Sequence, residues 1–191
     1  MAPRKHEWMT VPNALTLLRL LLLIPLASMI LSRQLGLGPL VIIMLWSGSD
    51  WLDGYIAREY GQTSRFGEVF DPIADRLGIF VVTAALCYIG VLPWVIPVAI
   101  GLTDAATALF AGRAAASGYI HVTMIGKVRS AILFLGLVLL VASLSRLPDA
   151  CPIAVMFIGV GTLLHLFAGV VYIREARRNL KRLSPMVEHV W

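Results

Sequence analysis

Charged residues and cysteines are scarce in this sequence of 191 residues. Only 14% of the residues are charged, whereas about a quarter is usual for a soluble globular domain. By contrast, 59% are hydrophobic, and the mean hydropathy is +0.83. The two cysteines, Cys87 and Cys151, are too few for a disulfide scaffold or a cysteine-based metal site. The composition therefore excludes a disulfide-stabilised domain and indicates a membrane protein.

Acidic residues are fewer than basic ones, but the basic excess does not form a nucleic-acid surface. The chain has 16 Lys and Arg against 11 Asp and Glu, with a pI near 9.6. The basic residues are scattered between apolar runs instead of forming a patch with interleaved aromatics, which argues against nucleic-acid binding. A cleaved signal peptide is also unexpected, because the first apolar run contains Arg19 and Pro25 and lacks a small-residue cleavage site.

Six apolar runs are long enough to cross a bilayer as helices, which takes about 20 residues each. Glycine and proline separate them, as at Gly90 and Pro93. We therefore predict an all-α integral membrane protein with one six-helix domain over residues 13–174. A short N-terminal interfacial segment, 1–12, precedes this domain, and a basic tail, 175–191, follows it. The predicted spans are 13–32, 37–58, 67–90, 93–112, 125–146 and 152–173.

The lysines and arginines at the span ends and in the loops predict the orientation of the helices. Cytoplasmic loops of membrane proteins carry an excess of these residues. Of the 16 basic residues, Arg19 and Arg76 fall within spans; with a cytosolic N-terminus, only Arg33 and Arg146 of the other fourteen lie outside. We therefore expect a multi-pass protein of the cell membrane with both termini in the cytosol. Its basic tail is expected to contact anionic lipid headgroups.

Four aspartates lie in the second and third predicted spans, where hydropathy alone would not place them. An acidic residue at the centre of a membrane helix costs on the order of 3 kcal/mol, so such residues mark a pathway or a site. Asp50 and Asp53 are three residues apart and Asp71 and Asp75 are four apart, so each pair shares one helix face. Because the two spans run in opposite directions, both pairs are expected near the cytosolic ends, facing each other.

These four carboxylates would repel one another without positive charge between them. Two divalent cations balance their four negative charges, and ligands that are all oxygen select a hard ion such as Mg²⁺ or Mn²⁺. Two such ions that bridge a phosphate are a known arrangement for in-line displacement. Arg58, on the same predicted span as Asp53, is able to bind a phosphate through two hydrogen bonds. The sequence therefore predicts two divalent cations and phosphate chemistry at the membrane surface.

The residues around these aspartates resemble the signature of the CDP-alcohol phosphotransferase family. The pattern is Asp50-x-x-Asp53-Gly54-x-x-Ala57-Arg58, eight residues, Gly67, three residues, Asp71, three residues, Asp75. The first span is similar as well, with Pro12-Asn13, Thr16 and Arg19 at its start, and the spacing of three places the last three on one helix face. The resemblance implies six transmembrane helices, a metal site facing the cytosol and a homodimer.

The resemblance also implies a role for each residue of the signature. Asp50, Asp53 and Asp71 would ligate metal, and Asp75 would complete the second metal site and act as general base on the acceptor hydroxyl. The donor would be CDP-diacylglycerol and the leaving group CMP. The cytidine diphosphate would lie against Gly54, Ala57, Arg58 and Gly67, with Asn13 and Arg19 as further contacts.

The acceptor alcohol is less well defined. Thr103-Asp104 stands where related phosphatidylglycerol-phosphate synthases usually have Arg-Glu and cardiolipin synthases Arg-Asp. The retained acid favours phosphatidylglycerol as acceptor, as in a CMP-forming cardiolipin synthase, and the alternative is glycerol 3-phosphate. A phosphorylated acceptor needs basic groups, and Gly126-Lys127 resembles a glycine–lysine pair of the family. The candidate acceptor contacts are Lys127, Arg113, Arg129, Arg65, Arg174 and Asp104.

The polar residues within the spans also allow other interpretations. A proton-coupled transporter would use the acids as a relay, but such folds often have repeats with broken helices in both halves, whereas these four aspartates lie in one hairpin. Asp104 and His165 each lie nine residues before an arginine, about 13 Å of helix, so both are candidates to border the active cavity. An interhelical hydrogen-bonded histidine is the simpler interpretation of His165.

Overall fold

The computed structural model describes residues 11–59, 65–116 and 124–187, and most of their side chains. All regular structure in these ranges is helical, which confirms the all-α prediction. A short 3₁₀ helix, Pro148–Ala150, precedes the last of six α-helices. The α-helices are α1 (Val11–Leu31), α2 (Leu37–Glu59), α3 (Arg65–Tyr88), α4 (Val95–Ala116), α5 (Met124–Ser145) and α6 (Cys151–Val187).

The first five helices begin and end within four residues of the predicted spans, whereas α6 continues to Val187, through most of the predicted tail. Three helical stretches in the described residues are long and apolar enough to cross a membrane: Asn13–Leu31, Val128–Ser145 and Pro148–Arg178. Together they identify a membrane protein. Two shorter apolar stretches in the described residues are Leu37–Ser49 on α2 and Val95–Leu109 on α4. The six-span count remains a prediction.

The chain divides into two compact units, and the first contains all four signature aspartates. This unit comprises Met1–Pro93 and Leu137–Ala154. Within it, α1 packs against both α2 and α3. Buried residues recur every three or four positions along α1 and form one face of the helix. They are polar in the first half of the helix and apolar in the second. The members of this face are Asn13, Thr16, Arg19, Leu23, Leu26 and Ile30.

The C-terminal ends of α1 and α3 lie side by side, which shows that the two helices run in the same direction. Both helices end in a Schellman motif: Arg33 (φ 55) and Gly90 (φ 83) take the left-handed conformation, and the amides there bond back to carbonyls of the last turn. Arg33 Nη2 also donates to the Ile89 carbonyl at 2.9 Å. The arginine at the end of α1 therefore caps the end of α3.

The two cysteines are both free thiols. Cys87 is buried in the last turn of α3, where its Sγ lies 3.4 Å from the Pro93 carbonyl oxygen. Cys151 is the first residue of α6 and is half-buried. The fold of the first unit therefore rests on helix packing, and its cysteines are not cross-linked to each other.

The second unit comprises Trp94–Gly136 and Val155–Trp191, which contain α4, the first part of α5 and most of α6. Two glycines bring α5 and α6 close together. A Cβ atom built at Gly136 would lie 2.9 Å from the backbone nitrogen of Ile158, and Gly161 on α6 meets α5 in a similar way. Small residues permit such close approach between helices in a membrane, where packing replaces the hydrophobic effect as the source of association.

Candidate active site

The polar face of α1 consists of Asn13, Thr16 and Arg19. Their exposed fractions are 6%, 2% and 0%, so all three point into the protein. This confirms the prediction that their spacing places them on one helix face. Because buried polar groups are costly unless they are hydrogen-bonded, this face requires partners on the neighbouring helices.

Two aspartates of α3 are partners of this face. The Thr16 hydroxyl donates to Asp71 Oδ1, and Arg19 Nη1 donates to Asp75 Oδ1 and forms an ion pair with it. One turn of α1 is thus matched with one turn of α3, as expected for parallel helices. The Asp75 side chain is 23% exposed, whereas the arginine is enclosed. Arg19 therefore balances the charge of Asp75 from the side that faces the protein.

Arg19 also reaches α2, so one side chain joins three helices. Its Nε donates to Ser49 Oγ at 3.4 Å, and the Ser49 hydroxyl in turn donates to the Trp46 carbonyl at 2.8 Å. Ser49 is the residue directly before Asp50 in α2. The buried arginine therefore lies beside the beginning of the acidic segment of α2 as well as against Asp75.

A second contact between α2 and α3 establishes their register. A Cβ atom at Gly78 would lie only 2.8 Å from Cε2 of the Trp46 indole, so the ring packs against the glycine. Ser49 lies three residues after Trp46, and Asp75 lies three residues before Gly78. Because Arg19 contacts both Ser49 and Asp75, the numbering rises along α2 as it falls along α3, and the two helices are antiparallel.

In this register, the backbones of the two acidic pairs lie at matching levels along α2 and α3. Both helices continue without a break through the signature residues. At 1.5 Å per residue, the backbone of Asp53 is level with that of Asp71, and the backbone of Asp50 is within one residue of the level of Asp75. The side chains of Asp50 and Asp53 are not among those described, so the predicted facing of the four carboxylates stays a prediction.

The described half of the site fits a hard divalent cation. Asp71 and Asp75 present carboxylate oxygens one turn apart on α3, and each has a hydrogen-bond donor on one of its oxygens. Such donors orient metal-ligating carboxylates in proteins. Among the described side chains, no three Asp, Glu, His or Cys residues gather into a metal site. A complete ligand set therefore requires the aspartates of α2, and all of its ligands would be oxygen, as Mg²⁺ and Mn²⁺ prefer.

The residues predicted to contact the cytidine diphosphate lie on three helices. Gly67 is buried on α3, one turn before Asp71, while Asn13 and Arg19 lie on the polar face of α1. Three further predicted residues belong to the helical backbone of α2, and their side chains lie outside the described part of the chain. These are Gly54, Ala57 and Arg58.

The predicted acceptor contact Asp104 is paired with His165 in the second unit. His165 Nε2 lies 3.2 Å from Asp104 Oδ1, and the histidine is buried between α6 and α4. The distance is within hydrogen-bonding range, but the atoms are not aligned as a hydrogen bond, so the contact is defined by proximity alone. One turn further along α6, Gly169 packs against Thr103, which brings the two helices together here.

Two of the other candidate acceptor residues, Arg129 and Arg174, have described side chains. Arg129 is buried on α5, and Arg174 is exposed on α6. Arg65, Arg113 and Lys127 lie in the helical backbone of α3, α4 and α5, but their side chains are outside the described set.

Two side chains at the site have roles that the sequence did not predict. The spacing predicts the correct face of α1 for Thr16, but it predicts neither the hydrogen bond of Thr16 to Asp71 nor the contact of Ser49 with Arg19. The position of Ser49 directly before Asp50 was the available signal. The pairing of Asp104 with His165 was also missed, although both residues lie nine positions before an arginine and thus at comparable heights.

Comparison with known proteins agrees with this combination of fold and site. An all-α membrane protein with acidic pairs on two neighbouring helices is the class of protein that the geometry defines. A family model described as CDP-alcohol phosphatidyltransferase matches residues 9–171, most of the chain. The chain therefore belongs to the CDP-alcohol phosphatidyltransferase family.

Three relatives illustrate the range of similarity. A CMP-forming cardiolipin synthase of Streptomyces coelicolor is 32% identical over 184 residues, which cover 91% of this chain and 85% of the relative. A putative cardiolipin synthase of Mycobacterium tuberculosis is 40% identical over 91 residues, 47% of this chain and only 43% of the relative. A CDP-diacylglycerol–glycerol-3-phosphate 3-phosphatidyltransferase of Rickettsia prowazekii is 40% identical over 82 residues, 40% of this chain and 43% of the relative.

Proposed function

We propose that this protein transfers the phosphatidyl group of CDP-diacylglycerol to a glycerol-based acceptor and releases CMP, as a step of phospholipid biosynthesis. The observation that carries the proposal is the pair of α3 carboxylates, Asp71 and Asp75, held by Thr16 and Arg19 within the region that matches the family. The names of the relatives support it, because they describe phosphatidyl transfer and CMP formation.

The charges at the site suit a diphosphate once cations are bound. The four aspartates and Arg19 together carry a formal charge of −3, which repels a nucleotide. Two divalent cations change this to +1, so the loaded site attracts the donor diphosphate. Bound Mg²⁺ or Mn²⁺ would supply Lewis-acid polarisation of the phosphoryl oxygens. We assign Asp50, Asp53, Asp71 and Asp75 as the residues that hold them.

The residues of the chain supply the remaining chemistry. In the proposed step, the acceptor hydroxyl oxygen forms a bond to the phosphorus of the phosphatidyl group, and the bond from that phosphorus to the CMP oxygen breaks. Asp75 accepts the hydroxyl proton as general base. Arg58 binds a donor phosphate, and the small residues Gly54, Ala57 and Gly67 leave room for the cytidine diphosphate.

The orientation of the site in the membrane is inferred from the charges of the loops. We propose six membrane spans, with both termini and the acidic site on the cytosolic side of the cell membrane. The basic residues in the later part of α6 include Arg174, Arg177 and Arg178, which are exposed and would contact anionic headgroups. The resemblance to the family adds a homodimer to this proposal.

For the acceptor, we favour phosphatidylglycerol, with glycerol 3-phosphate as the second candidate. The relative that matches 91% of this chain is named cardiolipin synthase (CMP-forming), and Asp104 is retained. The second candidate is supported by relatives named for glycerol 3-phosphate, which match shorter regions. A phosphorylated acceptor would contact basic side chains, and the proposed ones are Lys127, Arg113, Arg129 and Arg65.

An acceptor panel tests this function. The purified full-length protein is supplied with CDP-diacylglycerol and Mg²⁺ or Mn²⁺, then with phosphatidylglycerol, glycerol 3-phosphate, inositol phosphate or no acceptor. Released CMP and the lipid product are followed together. We expect cardiolipin and stoichiometric CMP with phosphatidylglycerol. Product with glycerol 3-phosphate alone would establish the second candidate, and the absence of CMP with every acceptor would refute the proposal.

The role of Asp104 is tested in the same panel. If Asp104 contacts the acceptor, Asp104→Asn should change the ratio of rates obtained with phosphatidylglycerol and with glycerol 3-phosphate. An unchanged ratio, at whatever absolute rate, would remove Asp104 from the acceptor site. His165→Gln is the matched variant, because it alters the partner of Asp104 and leaves the carboxylate in place.

A further inference from the structure

We propose that Thr16 and Arg19 are positioning residues that hold the carboxylates of Asp71 and Asp75 in the orientation required for metal binding and proton transfer. Arg19, on this inference, acts on Asp75 and not on the diphosphate of the donor, contrary to the role that the family resemblance implied. The inference rests on the proposed function only for its catalytic consequences, since its first test is metal binding by the protein alone.

The contacts of α1 with α3 are the first argument. Thr16 and Arg19 each donate to the Oδ1 atom of a different aspartate, one helical turn apart. A donor on one carboxylate oxygen fixes the plane of the group and thereby the direction of its second oxygen. Partners of this kind orient the ligands of metal sites, and their loss typically costs about 10-fold to 100-fold in metal affinity or activity.

The enclosure of Arg19 is the second argument. Its side chain has no exposed surface, although Asp75, its partner, is partly exposed. Two of its nitrogens point to different helices, Nη1 to Asp75 on α3 and Nε to Ser49 on α2. The enclosed guanidinium thus uses at least two of its nitrogens within the protein, and its contact with Asp75 is the one that bears on the acidic site. Its role is therefore exerted through Asp75.

The difference between the two donors is the third argument. Thr16 is a neutral donor, so Asp71 keeps its full negative charge for a cation. Arg19 is charged, so Asp75 is partly balanced before any cation binds. The two carboxylates therefore differ in their local charge, with more negative charge left for a cation at Asp71 than at Asp75. Thr16 and Arg19 thus distinguish two otherwise identical carboxylates.

Thr16 is easier to test than Arg19, because substitution by valine or by serine separates the shape of the side chain from its hydrogen bond. Thr16→Val keeps the shape and loses the donor, whereas Thr16→Ser keeps the donor. Mn²⁺ affinity of the purified protein, measured by electron paramagnetic resonance without donor lipid, should fall about 10-fold in Thr16→Val and stay close to wild type in Thr16→Ser. Thr83→Val is the matched control, because Thr83 is fully buried on α3 and donates to carbonyls of its own helix.

Equal Mn²⁺ affinity in Thr16→Val, Thr16→Ser and wild type would overturn the role of Thr16. A loss of affinity in Thr83→Val as large as that in Thr16→Val would also overturn it, because the effect would then be one of general packing. These measurements need no catalytic turnover. They therefore decide the inference even if the acceptor panel shows that the proposed function is wrong.

Arg19 is tested by the split between kcat and KM for CDP-diacylglycerol. A positioning role predicts that Arg19→Gln lowers kcat by about 10-fold to 100-fold with little change in KM, and that Arg19→Lys, which keeps the charge but not the two-sided contact, recovers part of the rate. A raised KM with kcat retained would show that Arg19 binds the donor and would overturn the inference. If Arg19→Gln does not fold, Ser49→Ala removes the Nε partner alone and should lower kcat in the same direction.

Discussion

Gly78 of α3 lies directly against the indole of Trp46 on α2, and this contact sets the separation of the two helices that carry the four aspartates. The indole is almost fully buried, and a Cβ atom at Gly78 would overlap it. Gly78 is three residues after Asp75, and Trp46 is four residues before Asp50. The contact therefore lies about one helical turn from Asp50 and Asp75 and holds α2 and α3 close together beside the acidic segments.

Enlarging Gly78 should loosen this part of the protein. Gly78→Ala is expected to destabilise the fold by about 1–3 kcal/mol, because the indole of Trp46 must shift to admit the methyl group. Gly48→Ala on α2 is the control, since no atom outside its own helix lies within 4 Å of the added Cβ and alanine favours a helix. Thermal unfolding in detergent compares the two variants. Equal midpoints would show that the contact does not constrain the helices.

The connection after α3 depends on a backbone conformation that favours glycine. Gly90 has a φ of +83°, and a Cβ atom there would meet nothing, so any cost of substitution comes from the backbone alone. We expect Gly90→Ala to lower the free energy of unfolding by about 1 kcal/mol. Gly36→Ala serves for comparison, because its site is also open and its φ is not in this region. A Gly90→Ala protein as stable as Gly36→Ala would contradict the assignment.

Asp104 and His165 should prove energetically coupled. His165 is buried and Asp104 is half-buried where α4 and α6 meet, so loss of either side chain leaves the other without this polar neighbour. In a double-mutant cycle with Asp104→Asn and His165→Leu, we expect a coupling of about 0.5–3 kcal/mol in the free energy of unfolding. Strict additivity of the two single changes would show that the 3.2 Å contact contributes nothing to stability.

Removal of divalent cations should abolish the activity without unfolding the protein. The four aspartates, whose backbones lie at matching levels on α2 and α3, are not expected to hold a diphosphate by themselves, because like charges repel. Treatment with a chelator should therefore stop CMP release, and added Mg²⁺ or Mn²⁺ should restore it. Circular dichroism of the chelated protein, with its helical signal retained, provides the control. Full turnover after exhaustive chelation would contradict the metal assignment.

The helices and the polar face of α1 were predictable because their signals are local. Apolar runs bounded by glycine and proline defined five of the six helices within four residues, and the spacing of Asn13, Thr16 and Arg19 predicted a shared face that the structure confirms. The length of α6 was not predicted, because the basic residues after Arg174 were interpreted as a tail. Helix propensity allows lysine and arginine, so a change in composition did not mark the helix end.

The partners of the site residues were not predictable, because they depend on the register between helices. The sequence placed Asp71 and Asp75 on one face, but it contained no information on which α1 residue would be level with each of them. The contacts of Thr16 with Asp71 and of Arg19 with Asp75 follow from parallel packing of α1 and α3. That packing is secured at the far end, where Arg33 caps α3, more than a dozen residues from the site.

The central claim is that the acidic residues of α2 and α3 drive metal-dependent phosphatidyl transfer from CDP-diacylglycerol. Asp71→Asn tests it most directly, because the amide keeps the shape of the side chain and removes its charge, while Thr16 can still donate to the amide oxygen. Asp149→Asn, the same change at an exposed aspartate of the 3₁₀ helix, is the control. The measurement is CMP released from CDP-diacylglycerol with saturating Mn²⁺ and acceptor. We predict no release above background for Asp71→Asn and a wild-type rate for Asp149→Asn; a folded, fully active Asp71→Asn protein would contradict the account.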